Sequence, residues 1–201
     1  MLDVILRDAV RHSFNAITVD GDTSTNDACV LMASGASGVR VESDESADGG
    51  RLAGAIAAVC AELAEMIVRD GEGATKLVRL RVETAASEAE AATVAYTVAH
   101  SPLVKTALFA SDPNWGRILA AVGRAGIDGL DVERVRIWLG DVPIVRAGGR
   151  DPDYTEQAGQ AVMDRPEITI RIDLDRGDAR TEVLTCDLSY DYVKINAEYR
   201  T

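Results

Sequence analysis

Apolar residues recur at helical spacing in some stretches of the chain and alternate in others. Leu2, Ile5, Leu6, Ala9 and Val10 fall on one side of a helix over 1–12. The longest stripe is Ile56, Val59, Cys60, Leu63, Met66 and Ile67, flanked by Glu62 and Glu65. It predicts a helix over 52–69, ended by Gly71 and Gly73. Residues 76–83 alternate instead, with Val78, Leu80 and Val82 on one face and Arg79, Arg81 and Glu83 on the other, the mark of a half-buried strand. Ser87-Glu88-Ala89-Glu90 opens a helix to about 99 as a capping box. Another helix is expected after Pro113, with Ile118, Leu119 and Val122 inward. Strands are predicted over 16–19, 134–139 and 168–174, and a helix over 153–163. The alternation of Leu184, Cys186, Leu188, Tyr190 and Tyr192 predicts a strand over 182–192, joined to 168–174 in a hairpin through Arg176–Ala179. The apolar run 28–33 is left open between strand and helix start, and the acidic, glycine-ended 41–50 reads as a loop.

These elements predict an α/β chain, layered in the α+β manner, with helices packed on a β-sheet and a late antiparallel hairpin. The 201 residues are long enough for a full core. Residues 1–201 are read as one piece, with a larger layer region over 1–125 and a smaller region over 126–201 as an open subdivision.

Aromatic residues make up only 4% of the chain, so a core of Ala, Val, Leu and Ile is expected. The net charge of −12 argues against nucleic acid, whose phosphates need clustered Lys and Arg, and against an anionic membrane surface. No apolar run reaches the roughly 20 residues of a membrane span. Cys29, Cys60 and Cys186 are far apart with no C-x-x-C pair, and are expected to be small core residues rather than metal ligands or a redox pair. His12 and His100 are too isolated to argue for a triad or a metal site.

Asp20 to Asp27 carries eight residues in which every side chain is a carboxylate, hydroxyl, amide or hydrogen. A turn needs one or two of these. Asp20, Asp22, Ser24 and Asn26 imitate the opening ligands of a calcium loop, but Thr25 stands where the loop needs glycine and Leu31 where it needs glutamate. A polar turn capping the next element and a polar active-site wall both remain open. In Arg69-Asp70-Gly71-Glu72-Gly73-Ala74-Thr75-Lys76 the glycines allow a sharp turn and leave Glu72 accessible. No Gly-Lys-Ser/Thr follows, so this is not a P-loop. In Ser111-Asp112-Pro113-Asn114-Trp115-Gly116-Arg117, Asp112 is a candidate N-cap and Pro113 a first helical residue.

These three stretches, together with Ser13-Phe14-Asn15-Ala16-Ile17-Thr18-Val19 and the C-terminal Tyr190–Thr201, give the chain its resemblance to the ornithine acetyltransferase (glutamate N-acetyltransferase) family of arginine biosynthesis. The chain resembles the carboxyl-terminal, or β-chain, half of that family's precursor. The resemblance implies a layered fold similar to that of amino-terminal-nucleophile hydrolases. It implies a ping-pong transfer of acetyl from N-acetylornithine, in some relatives also from acetyl-CoA, to glutamate.

The family precursor cuts itself in two and exposes a threonine whose hydroxyl is the nucleophile, with its own α-amine as base. No residue here matches that threonine. It is expected upstream of Met1, so no catalytic residue is nominated in this chain. Met1-Leu2 could directly follow the threonine. The preferred alignment makes 1–12 the helix just before the Ser-Phe-Asn segment. A fragment, a separately encoded half and a truncated reading frame all remain open, as does a non-catalytic, amino-acid- or partner-binding descendant. By family position Glu72, Asn196 and Thr201 would hold the amino-acid substrate, a carboxylate and an amide suiting a zwitterion. Tyr190, Tyr192 and Tyr199 are candidates to dock the tail. The resemblance implies no metal and no organic cofactor. It also implies the amino-terminal α chain as partner in an α2β2 heterotetramer, small amino acids as ligands, and a cytoplasmic location.

Overall fold

A computed structural model describes residues 1–199. The chain divides into two compact units, Met1–Ile17 with Asp22–Ile67, and Thr18–Gly21 with Val68 onward. The first unit contains α1 (Leu2–Arg11) and most of α2 (Ala47–Arg69). In α1, Ile5 and Ala9 are buried, four residues apart as the stripe predicts. α2 starts five residues before the predicted helix start, inside the stretch expected to be loop, because Ser46 accepts the Gly49 amide at 3.0 Å and supplies an N-terminal cap. The expected strand over 16–19 does not form. Phe14–Ala16 is a 3-10 turn and Ile17 is an isolated bridge. Residues 28–33 belong to neither strand nor helix, so Cys29 is exposed, whereas Cys60 and Cys186 are buried.

The second unit is built on a six-stranded sheet: β1 (Leu77–Ala85), β2 (Arg136–Leu139), β3 (Val142–Arg146), β4 (Gly149–Arg150), β5 (Glu167–Asp173) and β6 (Ala179–Cys186), in the order β4-β3-β2-β5-β1-β6. The alternation expected for β1 holds, with Val78, Leu80 and Val82 fully buried. Leu80 aligns with Ile170 of β5, which aligns with Leu139 of β2. Val82, Ile172 and Ile137 form the next row of the same face. This inner face packs on α3 (Glu88–Ala99), α5 (Trp115–Gly123) and α6 (Glu156–Met163) in one core that also holds Tyr154 and Met163.

The outer face is polar. Arg81 lies opposite Arg171, a like-charged pairing that would destabilise a sheet by itself. Glu182 relieves it by binding Arg79 and Arg81 at 3.2 and 2.5 Å, while Arg171 stacks 3.8 Å over the Trp138 ring.

The hairpin expected from β5 and β6 is absent, because β1 lies between them, parallel to β5 and antiparallel to β6. The 174–178 connection crosses the end of β1. Leu174 donates its amide to the Glu83 carbonyl at 3.1 Å, and Arg176 and Gly177 donate theirs to Thr84 at 2.7 and 2.9 Å. A Cβ at Gly177 would stand 2.6 Å from the Ala85 carbonyl, so only glycine fits this crossing. The late antiparallel hairpin is instead β2–β3, turned at Gly140.

The strand predicted over 182–192 ends at Cys186, and Tyr190–Glu198 is a helix, α7. Ser189 accepts the Tyr192 amide at 3.2 Å and caps it. The short helix α4 (Pro102–Phe109), capped by Ser101, was not anticipated. Asn114, not Asp112, caps α5, accepting the Arg117 amide at 3.1 Å.

Candidate functional site

Glu72 lies in the turn between α2 and β1, and Asn196 lies at the end of the second turn of α7. The structure brings them together: Asn196 Nδ2 donates to Glu72 Oε2 at 2.6 Å and to the Tyr192 carbonyl at 3.0 Å. Both side chains are exposed, so the carboxylate and amide face solvent as a polar pair within reach of a small ligand. Thr201, the third residue expected at the substrate, lies outside the described residues.

The loop bearing Glu72 is held from behind. Gly73 has φ +66°, and a Cβ there would meet the Tyr192 amide at 2.5 Å and Ser189 Oγ at 2.7 Å. Ser189 Oγ donates to the Gly73 carbonyl at 2.6 Å. Asp187, itself buried, accepts the Thr75 and Lys76 amides through Oδ1 at 2.8 and 2.9 Å, and the Thr75 hydroxyl through Oδ2 at 2.6 Å.

One wall next to this pair comes from the polar stretch noted in the sequence. Tyr192 Oη donates to Asp20 Oδ2 at 3.0 Å. Thr18 donates its amide to the Leu184 carbonyl at 2.9 Å, and its hydroxyl lies 3.1 Å from His100 Nε2. Burial, together with the Lys105 cation, pushes the His100 imidazole below its ordinary range, while Asp20 opposes the shift. Farther along, the Ser24 hydroxyl accepts the Asp27 amide at 3.3 Å in a local turn. Of the three tyrosines, Tyr192 makes the docking hydrogen bond, Tyr190 stands edge-on to Phe109 at 5.4 Å, and Tyr199 is exposed.

Two lysines lie beneath the site. Lys105 is buried on α4 and donates to Thr185 Oγ1 at 3.2 Å and to the Cys186 carbonyl. Desolvation lowers its pKa, with Cys186, Asp187 and Asp20 pulling the other way. Lys76 spans from the loop to Ser111 and to the Met163 carbonyl, its pKa likewise lowered by burial.

Asp187, Ser189 and Lys105 were not anticipated as parts of the site. The signal for Ser189 was present in the sequence, a serine one residue before Tyr190-Asp191-Tyr192-Val193, but the alternation of 184–192 concealed it. Lys105 carries no local signal, since its burial follows from the packing of α4.

Chemically, the arrangement offers a solvent-facing carboxylate and amide on a rigid support, next to a phenol–carboxylate pair. That set suits a small ligand carrying an ammonium group and further hydrogen-bonding atoms. The model of the ArgJ family matches residues 1–201. The "Arginine biosynthesis bifunctional protein ArgJ" of Methylococcus capsulatus is 65% identical over the whole chain, and that of Psychrobacter arcticus 58%. The chain spans 49% and 50% of these two relatives. The crystal structure of arginine biosynthesis bifunctional protein argJ from Bacillus halodurans superposes with a TM-score of 0.92 at 39% identity, covering 98% of this chain and 92% of that one. The fold is thus a mixed α/β fold, with helices packed on a six-stranded sheet, shared with that crystal structure. The chain belongs to the ArgJ family.

Proposed function

We propose that these residues form the substrate-binding half of a two-chain enzyme that moves acetyl from N-acetylornithine to glutamate in arginine biosynthesis. The observation that carries the reading is the 2.6 Å contact between Glu72 and Asn196. Two residues far apart in sequence, each given an amino-acid-binding role by the family resemblance, meet at one exposed point. The Glu72 carboxylate would hold the substrate ammonium, Asn196 would bridge carboxylate and substrate, and Thr201 would close the site.

On this reading the nucleophilic threonine belongs to the part of the family polypeptide that the chain does not span, at the head of the carboxyl-terminal half once self-cleavage has exposed it. Its hydroxyl oxygen attacks the acetyl carbonyl carbon, the C–N bond breaks, and ornithine leaves with the proton on its amine. The glutamate amine then attacks the acetyl ester, the C–O bond breaks, and the threonine recovers its proton. No metal or organic cofactor enters these steps. The relatives are called bifunctional, and on that precedent acetyl-CoA is a second donor to assay.

The partner is the amino-terminal half, released by self-cleavage and joined in an α2β2 assembly in the cytoplasm. Two observations support a two-chain arrangement. The chain covers half of the full-length relatives but 92% of the crystallised chain. And α2 exposes an unpartnered apolar stripe, Val59, Leu63, Met66 and Ile67, each 45–56% exposed. Among the described residues no helix is long and apolar enough to cross a membrane.

The test is expression of the chain as part of the full family polypeptide, with the amino-terminal half and the cleavage-site threonine included, and an assay of acetyl transfer from N-acetylornithine to glutamate. Transfer by the assembly but not by the chain alone is the expected result. Ornithine binding without transfer in the full assembly would favour a binding descendant.

A further inference from the structure

Glu72 and Asn196 lie on elements that share no secondary-structure hydrogen bonds, so something must fix the distance between them. The segment Asp187-Leu188-Ser189 does so. It stands at the start of α7, which carries Asn196, and at the same time grips the loop that carries Glu72. Asp187 receives both the Thr75 and Lys76 amides and the Thr75 hydroxyl, all within 2.9 Å. Ser189 Oγ donates to the Gly73 carbonyl at 2.6 Å and accepts the Tyr192 amide at 3.2 Å, joining loop and helix through one oxygen. Behind the segment, Leu188 donates its amide to the Lys105 carbonyl at 3.1 Å, and the Lys105 ammonium binds the Cys186 carbonyl and the Thr185 hydroxyl. The corner is therefore tied on both sides.

We infer that Asp187 and Ser189 are positioning residues that set the Glu72–Asn196 geometry and hence the affinity for the amino-acid substrate. The inference rests on the functional reading above, because the substrate role of Glu72 and Asn196 belongs to that reading.

The chemistry of the clamp explains its economy. A buried carboxylate that accepts three hydrogen bonds is satisfied without a salt bridge, and hydrogen bonds to a charged acceptor are the strong class. Among the described residues no other side chain takes the Thr75 and Lys76 amides. Removing the carboxylate charge therefore weakens the bonds to both amides, which share Oδ1, and loosens the loop at its junction with β1 while leaving the β1 core rows in place. Asp187 and Ser189 are both buried. Each acts through Glu72 and Asn196.

The test uses the two-chain assembly made from the full family polypeptide with Asp187→Asn, which keeps shape and one acceptor oxygen, and Thr75→Val, which removes only the hydroxyl of an exposed residue. Two readouts are taken: hydrogen exchange at the Thr75 and Lys76 amides, and the steady-state constants for N-acetylornithine. Exchange at these two amides should accelerate at least tenfold in Asp187→Asn. KM should rise about tenfold, with kcat changed less than threefold and the melting temperature nearly kept. Thr75→Val should show the same pattern more weakly. Unchanged exchange at Thr75 and Lys76 overturns the clamp. Faster exchange with an unaltered KM, or with kcat and melting temperature falling together, overturns its role in positioning. Failure of the unsubstituted assembly to bind ornithine overturns the functional reading instead, and with it the substrate role of the clamp, while the exchange result still decides whether the clamp exists.

Discussion

Asn196 reaches back across 124 positions of sequence to donate its side-chain amide to Glu72 at 2.6 Å. The pair is exposed, so it contributes little to folding and is available to a ligand. Glu72→Gln keeps the shape and the contact to Asn196 but removes the charge. A hydrogen bond to a charged group contributes about 1.5–3 kcal/mol, and about 1.4 kcal/mol is a factor of ten. In the assembled enzyme, Glu72→Gln should therefore raise KM for N-acetylornithine roughly 10- to 100-fold, with the melting temperature unchanged. Steady-state kinetics beside a thermal melt decide it. A variant with normal KM would remove Glu72 from the site.

Gly73 is the tightest point of the loop. Alanine there would need the left-handed backbone, a cost of about 1–2 kcal/mol, and its methyl would stand 2.5 Å from the Tyr192 amide. Gly73→Ala should lower unfolding stability by more than that backbone cost alone and should weaken ornithine binding with it. Gly50→Ala is the control. Gly50 lies in α2 with nothing within 4 Å of a built Cβ, and alanine there should be neutral or stabilising by about 0.5–1 kcal/mol. Urea unfolding of the two variants separates the cases.

Glu90 and Arg176 give a pH prediction. Arg176 Nε and Nη2 bind the two Glu90 oxygens at 2.9 and 3.2 Å, and the Ala86 amide adds a third bond at 3.0 Å. The Arg176 hydrogen bond is the largest influence and holds the Glu90 carboxyl below its ordinary range, against a smaller opposing effect of burial. A carboxyl depressed on folding contributes stability above its unfolded pKa, and that contribution is lost as pH falls through the folded value. Glu90→Gln should thus be less stable than the parent by about 1–2 kcal/mol at pH 7. The gap should close as pH drops below about 4. A gap that stays constant down to pH 3 would show that the carboxylate charge is not what Arg176 holds.

Where local signals agreed with their surroundings, the fold was legible in the sequence. Val78, Leu80 and Val82 alternate because one face of β1 meets the core, and Ser87 with Glu90 marks the start of α3 by capping chemistry that needs no partner. The misreadings share one cause. Ile168–Leu174 and Glu182–Cys186 each read correctly as strands, but nothing local to them records that β1, nearly a hundred residues earlier, inserts between the two. Leu188, Tyr190 and Tyr192 continue an alternating pattern by coincidence, while Ser189 and the buried Asp187 turn the chain into a helix. Ser101-Pro102 was a readable cap for α4 and passed unnoticed. Glu72 and Asn196 were legible only through resemblance, since composition says nothing of their meeting. Asp187 became visible as a clamp only once the Glu72 loop was seen lying against it.

The stripe on α2 yields the last prediction. Val59, Leu63, Met66 and Ile67 follow the helical period, yet each is about half exposed, while Cys60, Ala64 and Val68 between them are buried. The four exposed residues line one side of a 23-residue helix, and on the two-chain reading proposed above this is the side that the amino-terminal half covers. Fully burying a Leu or Met side chain contributes about 1.5–3 kcal/mol, and a side chain already half covered gains a fraction of that. Leu63→Glu with Met66→Glu removes two such gains and places two carboxylates where a dry contact is needed. The double variant should weaken association with the amino-terminal half at least 100-fold, about 2.7 kcal/mol. The chain's own melting temperature should be nearly unchanged, because neither side chain is in its core. Co-purification with a tagged amino-terminal half, beside a melt of the separate chain, distinguishes the outcomes. Intact assembly in the double variant would mean that the partner covers some other surface, and α2 would then need a different explanation for its apolar face.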